Sequence, residues 1–296
     1  YAGDWLTLIF FWELMAVTST LLVWQHGGEA VRAGYRYALF HGTGGTILLA
    51  AVVVHFVNAE TFLFSATAGI HPAATLLAAI GIGINCGFIF LHSWLPDTYP
   101  RPHVAASVFL SVFTTKTAAY VMYRAFPEGG MWLAYLGGFM AVYGAFFALL
   151  QYDPRRLLSY HIQAQLGYML AGFGLATAVG EFAVVGGFAH LFNNVLYKSL
   201  LFMAVGVVVY RTGVEDIREM GGLWRVMPVT FLVYLVGAAS ITAVPGFNGF
   251  ISKGMVLDSA HEVHEYVLLL DGGLLWWLLV LGGVGTFMSF IKLGYY

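Results

Sequence analysis

Residues 131–150 and 228–251 contain no Asp, Glu, Lys, Arg or His, so a helix built from either is uncharged on every face. A soluble all-helical protein would need a charged or polar face on such helices. Apolar spans of about 20 residues, the length that crosses a bilayer, recur at roughly 4–24, 38–57, 73–93, 104–123, 131–150, 158–179, 182–210, 228–251 and 274–292. Only 9% of residues are charged, 60% are apolar, and mean hydropathy is +0.80. Soluble domains carry about 25% charged residues. The charge available cannot clothe a water-facing surface, and the absence of period-two alternation disfavours an outer-membrane barrel. The expected fold is an all-α, polytopic transmembrane helix bundle of about nine helices, one domain over residues 1–296.

Composition also narrows the function. Net charge is −2 with no basic patch, which gives nucleic acid nothing to bind. The single cysteine, Cys86, lies in an apolar run and can form no intrachain disulfide. No cysteine cluster, paired haem ligands or phosphate-binding glycine pattern is present, so no cofactor is expected. The acidic run Asp258, His261, Glu262, His264, Glu265 reads as a solvated helix, and no metal site is expected there or elsewhere. The chain opens at Tyr1 without a Met and closes just after an apolar span. Both ends are expected to be truncations.

Arginine sets the topology. Arg32, Arg36, Arg101, Arg155, Arg156, Arg211, Arg218 and Arg225 fall in or beside alternate loops, whereas the opposite set holds only Arg124. The positive-inside rule then puts the arginine-rich loops in the cytoplasm. Lysine does the reverse: Lys116, Lys198, Lys253 and Lys292 all fall within or at the edge of an apolar span. A membrane-buried amine costs at least about 2.5–3.5 kcal/mol unless it faces a polar interior. Four such placements argue for an ion path.

The candidates for that path follow. Glu13 is a mid-span carboxylate able to pair with a lysine from another helix. Lys116 lies about midway through its span, too deep to snorkel easily, beside Thr114, Thr115 and Thr117. His190, Asn194 and Lys198, spaced i, i+4, i+8, line one helix face, and the histidine suits a relay. Pro245-Gly246-Phe247-Asn248-Gly249 interrupts the eighth span just before Ser252-Lys253. Proline removes a backbone donor and glycines loosen the chain. Transporters use such broken helices at ion sites, although a simple proline kink has the same signature. His92 and Asp97 sit where they could shape a cytoplasmic mouth or merely cap a helix.

Phe11–Met15, Leu91–Asp97, Ser111–Tyr120, Tyr160–Tyr168, His190–Phe202 and Phe247–Lys253 together resemble the antiporter-like subunits of proton-pumping NADH–quinone oxidoreductase and of multisubunit monovalent cation/proton antiporters. The segments Asp97–Pro100 and Thr114–Thr117 look closest to the D-type component of the latter, Mrp-type antiporters. The resemblance implies about fourteen helices with two inverted five-helix repeats, each holding a discontinuous helix. The spans here would be roughly the fifth to thirteenth. Residues 73–210 would form a central repeat-like portion, and 228–292 the terminal helices with a broken one. It also implies proton-relay roles for Glu13, Lys116, His190, Lys198 and Lys253. Asn85 stands where the family commonly has a lysine partner for the glutamate. Asn194 stands for a second histidine, and Gln165 for another, with His161 one turn earlier. Glu13 is left to pair with Lys116 or with a cation.

The implied function is proton relay coupled to export of a monovalent cation such as sodium, in a prokaryotic inner membrane and among other membrane subunits. Whether the chain counts as part of an enzyme depends on that company. A proton-pumping subunit of a respiratory or hydrogenase-type complex is the alternative. A structural subunit, or one serving inorganic-carbon uptake, are further ones.

Overall fold

The computed structural model describes residues 2–64, 71–263 and 273–296. Asp4 opens the first helix, its carboxylate accepting from the Thr7 amide and hydroxyl, each at 2.8 Å. Those two bonds hold its pKa below the ordinary carboxylate range. After α1 (Trp5–Trp24), α2 (Glu29–Ala59) runs for 31 residues. That is about 46 Å of helix against roughly 30 Å of hydrocarbon. Its first turns, with Arg32 and Arg36, lie beyond the apolar part, which is why hydropathy begins this span only at residue 38.

The expected span 73–93 is not one helix. α3 (Pro72–Cys86) starts on a proline, whose missing N–H is harmless at that position, and stops at Gly87 in the left-handed conformation, φ +67°. A turn through Phe90 leads to the short α4 (Trp94–Thr98). Freed carbonyls in hydrocarbon need partners. The Trp94 indole donates to Ile84 O at 2.9 Å, and the Gln163 amide to Gly87 O at 3.0 Å.

The chain continues through α5 (Val104–Ala125), α6 (Met131–Leu149), α7 (Pro154–Gly174), α8 (Ala176–Val179), α9 (Glu181–Thr212), α10 (Leu223–Val226), α11 (Pro228–Ile241), α12 (Asn248–Glu262) and α13 (Gly273–Tyr295). The expected break in span 228–251 is present. α11 ends at Ile241, and residues 242–247, including Ala243 at φ +61°, separate it from α12. Part of the run 258–265 lies outside the described residues.

α1, α2, α5, α6, α9 and α13 are long and apolar enough to cross a membrane, and α3 and α11 are shorter apolar helices. α7 carries His161, Gln163 and Gln165, yet from Leu157 to Gly174 it is buried except at Tyr160. Protein is its solvent. α6 fits against it through small residues: a Cβ on Gly137 would strike Gly167 O, and one on Gly167 would strike Gly137 O. Such stripes let membrane helices approach backbone to backbone. Outward-facing Phe10, Leu39, Phe192 and Leu232 complete an apolar exterior.

The fold gathers arginines at one end. Asp97 takes Arg36 on one oxygen and Arg156 on the other, the latter at 3.3 Å. Arg101 meets Glu29 at 3.0 Å, and Arg155 is buried, donating to Ser107 Oγ at 2.6 Å. The Arg218 guanidinium bonds Asp216 and holds its carboxyl down to about 2. At the opposite end Arg124 donates to Ala2 O at 2.9 Å and covers the Phe64 ring. Lys292 belongs with the arginines, donating to Leu149 O and Gln151 O at 2.8 and 2.7 Å. It caps the end of α6, so three lysines, not four, are buried in the bundle.

Candidate functional site

Lys116, in the middle of α5, is 4% exposed. Its Nζ donates to Thr115 Oγ1 at 3.3 Å, and the adjacent Thr114 hydroxyl lies 3.3 Å from Tyr37 OH on α2. Lys198, on α9, is fully buried and donates to Leu158 O of α7 at 2.9 Å. Lys253, near the start of α12, donates to Ile241 O at 2.7 Å and stands 4.7 Å above the Tyr168 ring. Ile241 ends α11, where the last carbonyls lack helical partners and the helix end carries partial negative charge. The break therefore supplies the ligand that holds this amine.

All three amines are held by neutral oxygens. The ion pairs among the described residues join carboxylates to arginines instead. An amine paired with a buried carboxylate would leave an uncompensated charge on losing its proton. An amine held by a carbonyl or hydroxyl leaves none.

Between the lysines runs a polar seam on α7, α9 and α12. His190 Nδ1 lies 3.1 Å from Ser252 Oγ, and Nε2 lies 3.1 Å from Gln165 Oε1. Tyr197 OH donates to Gln165 Oε1 at 3.3 Å and receives Asn194 Nδ2 at 3.0 Å. The expected stripe His190, Asn194, Lys198 is thus fully buried on one face of α9. His161 is fully buried one turn before Gln165, with both ring nitrogens unpartnered among the described residues and within electrostatic reach of Lys198 and Lys253. Lys198 in turn feels Lys116 and Lys253.

The remaining expectations meet a different arrangement. Glu13 is half-buried and forms no ion pair with Lys116. Its carboxylate rests on Gly45 of α2, where any Cβ would collide with it. Asn85 is fully buried, and its amide, without a partner among the described residues, lies against Gly44. His92 Nε2 meets Tyr143 OH at 3.3 Å, and Asp97 is occupied by two guanidiniums. Asp97 latches the arginine-rich end together.

The family model for the transmembrane region of NADH:quinone oxidoreductase/Mrp antiporter subunits matches residues 2–278. The chain belongs to this family. The A-type component of the Na(+)/H(+) antiporter of Bacillus subtilis is 29% identical over 97% of this chain and 40% of its own length. A solved structure of an Mrp complex from a Dietzia species superposes with a TM-score of 0.90 at 24% identity, covering 98% of this chain and 56% of the other. The structure of the membrane-bound sulfane sulfur reductase, an archaeal respiratory membrane complex, gives 0.87 at 25% identity, over 99% of this chain and 62% of the other. The chain thus spans about half the length of the proteins it matches. The Bacillus relative is an A-type component, and the likeness to the D-type component rests on Asp97–Pro100 and Thr114–Thr117 alone.

In this multi-pass membrane protein of the Mrp-related family, Tyr168, Tyr197 and Ser252, inside the matched segments, join the seam, whereas Tyr37 and His41 are fully buried on α2 outside those segments. Helical spacing offered one signal: His41, Gly44, Gly45 and Leu48 share a face, and that face is buried.

Proposed function

We propose that the chain is the proton-translocating core of an antiporter-like subunit in a multisubunit monovalent cation/proton antiporter of a prokaryotic inner membrane, sodium being the expected cation. The observation that carries this reading is the set of three buried amines held by neutral oxygens. Each can release a proton without stranding a counter-ion, and each neighbour's charge alters its affinity across a poorly screened interior. The route runs from Lys116 to Lys198, then through His161 and the Gln165–His190–Ser252 seam to Lys253. Lys253 leans on a broken helix, the device transporters use at ion sites. Proton flow along this line, with other membrane subunits completing the assembly, drives export of the cation.

Lys116 tests it. Lys116→Ala removes a titrating group and no large apolar contact, so coupled transport falls by at least about 100-fold, a normal effect for an acid–base group, while assembly stays intact. Lys116→Arg keeps the charge but cannot give up its proton at any accessible pH, and it fails too. The measurement is proton-gradient-driven cation flux in inverted vesicles, normalised to assembled complex. Near-parental flux in Lys116→Arg makes the residue a fixed countercharge and sinks the relay.

The likeness to the sulfane sulfur reductase favours a second reading, in which a redox partner drives the same relay. Flavin or iron–sulfur clusters in the intact purified complex would select it. Membrane subunits without either select the antiporter.

A further inference from the structure

The relay above accounts for α5, α7, α9 and α12, yet a second group of buried polar atoms lies between α1, α2 and α3. His41 is 0% exposed and neither ring nitrogen has a partner among the described residues. Asn85, also 0% exposed, has neither amide atom satisfied, and Glu13 Oε1 is unsatisfied as well. Buried polar groups in folded proteins are nearly always paired. Leaving one unpaired costs about 1–3 kcal/mol, more if it is charged, and these three flank one face of α2.

The glycines of α2 show how the three are arranged. Gly44 and Gly45 follow His41 by three and four residues and so lie on the same face. Asn85 Oδ1 lies 3.2 Å from where a Gly44 Cβ would be, and the Glu13 carboxylate fills the place of the Gly45 Cβ. A side chain at either position would fill the space these groups occupy. One turn the other way, the His41 ring stacks on Tyr37 at 3.9 Å and meets the edge of Trp94 at 4.5 Å. Tyr37 OH reaches Thr114, whose neighbour Thr115 holds the Lys116 amine. The order along α2 is therefore Glu13, His41, Tyr37 and then Lys116.

We propose that His41 carries protons between Glu13 and Lys116, with Asn85 holding the water that bridges carboxylate and imidazole. An imidazole accepts a proton on one nitrogen and releases it from the other. Both nitrogens here are uncommitted, whereas those of His190 are already bonded to Gln165 and Ser252. Among the titrating groups around His41, Tyr37 stacks on it from its own helix and the Glu13 carboxylate of α1 lies one turn on, against Gly45. α3 faces it with the neutral Asn85, and α4 with the Trp94 ring. The assignment rests on the proposed antiporter reading, and it supplies the half of the route that the absent lysine at position 85 leaves open.

The test uses the full-length subunit in its intact complex. His41→Phe keeps the ring stack on Tyr37 and Trp94 and removes both nitrogens. Flux per assembled complex falls by at least about 100-fold, the low side of what an acid–base group supplies. A smaller loss overturns the assignment. Adding Asn85→Lys to His41→Phe places an amine beside Glu13 and restores at least half of the lost flux. A histidine that merely packs cannot be replaced from another helix, so no restoration also overturns it. Should His41→Phe lower the amount of complex, His41→Gln is judged by the same two criteria. Lys116→Ala separates the two levels. If it transports normally, the antiporter reading itself falls; if it is dead while His41→Phe is active, only the role of His41 does.

Discussion

Tyr168 makes two different kinds of contact beside Lys253, and they are separable by mutation. The Tyr168 ring lies beneath the lysine amine, while the Tyr168 hydroxyl donates elsewhere, to Leu279 O of α13 at 2.6 Å. Tyr168→Phe keeps the first and removes the second. It should lower thermal stability of the purified complex by about 1 kcal/mol, the worth of one hydrogen bond, and leave flux within about twofold. A larger flux defect would make the hydroxyl itself part of the proton line. The lysines at this scale were legible in the sequence because an amine in an apolar span is costly enough to need a reason. Glu13 was legible as a mid-span carboxylate, but its lack of an ion pair among the described residues was not, since pairing is decided by which helices meet. His41 escaped notice because a histidine inside an amphipathic stretch looks the same whether it is packed, paired or left open.

The two interrupted helices differ in how they are written. In the α11–α12 break, Pro245 and Gly246 advertise the interruption, and the helix does stop nearby. Its tightest point is Gly249, where a Cβ would collide with Ser240 O at the end of α11. Gly249→Ala must push the half-helices apart, a change that costs about 1–3 kcal/mol by analogy with overpacked cores. It also displaces Ile241 O from Lys253. Both a lowered melting temperature and impaired flux are expected. Stability equal to the parent's would show that the break has room to spare. The α3–α4 interruption is written in Gly87-Phe88-Ile89-Phe90-Leu91, which is as apolar as a helix and passes for one. What ends α3 there is the left-handed Gly87, with partners for its carbonyls supplied by Trp94 and Gln163 from elsewhere in the chain. Hydropathy sees neither. The same blindness set the start of span 38–57 too late, because the polar first turns of α2 continue the helix outside the lipid.

At the scale of the whole molecule, the arginine partition read from the loops reappears as a physical face. Arg36, Arg101, Arg155, Arg156 and Arg218 meet at one end, with Arg124 at the other. Single cysteines replacing Arg218 and Glu128, both exposed, should react with a membrane-impermeant thiol reagent from opposite sides, position 218 from the cytoplasm. Labelling of 218 only from outside would invert the topology. His264, a natural third probe, lies outside the described residues. The folded-state pKa of Asp216 is depressed, so its pair with Arg218 is fully present above the ordinary aspartate range and is lost only as pH falls towards 2. An exposed pair adds little stability, but this one keeps both its charges until the pH falls that low. The reciprocal fit of Gly137 and Gly167 has a consequence of a different kind. Two backbones that each occupy the other's missing side chain form a keel: α7 can neither slide nor roll against α6 without collision. His161, Gln165 and Tyr168 ride on that keel, so the relay proposed above would leave the helix that bears them in place and move only lysine side chains and water around a fixed spine.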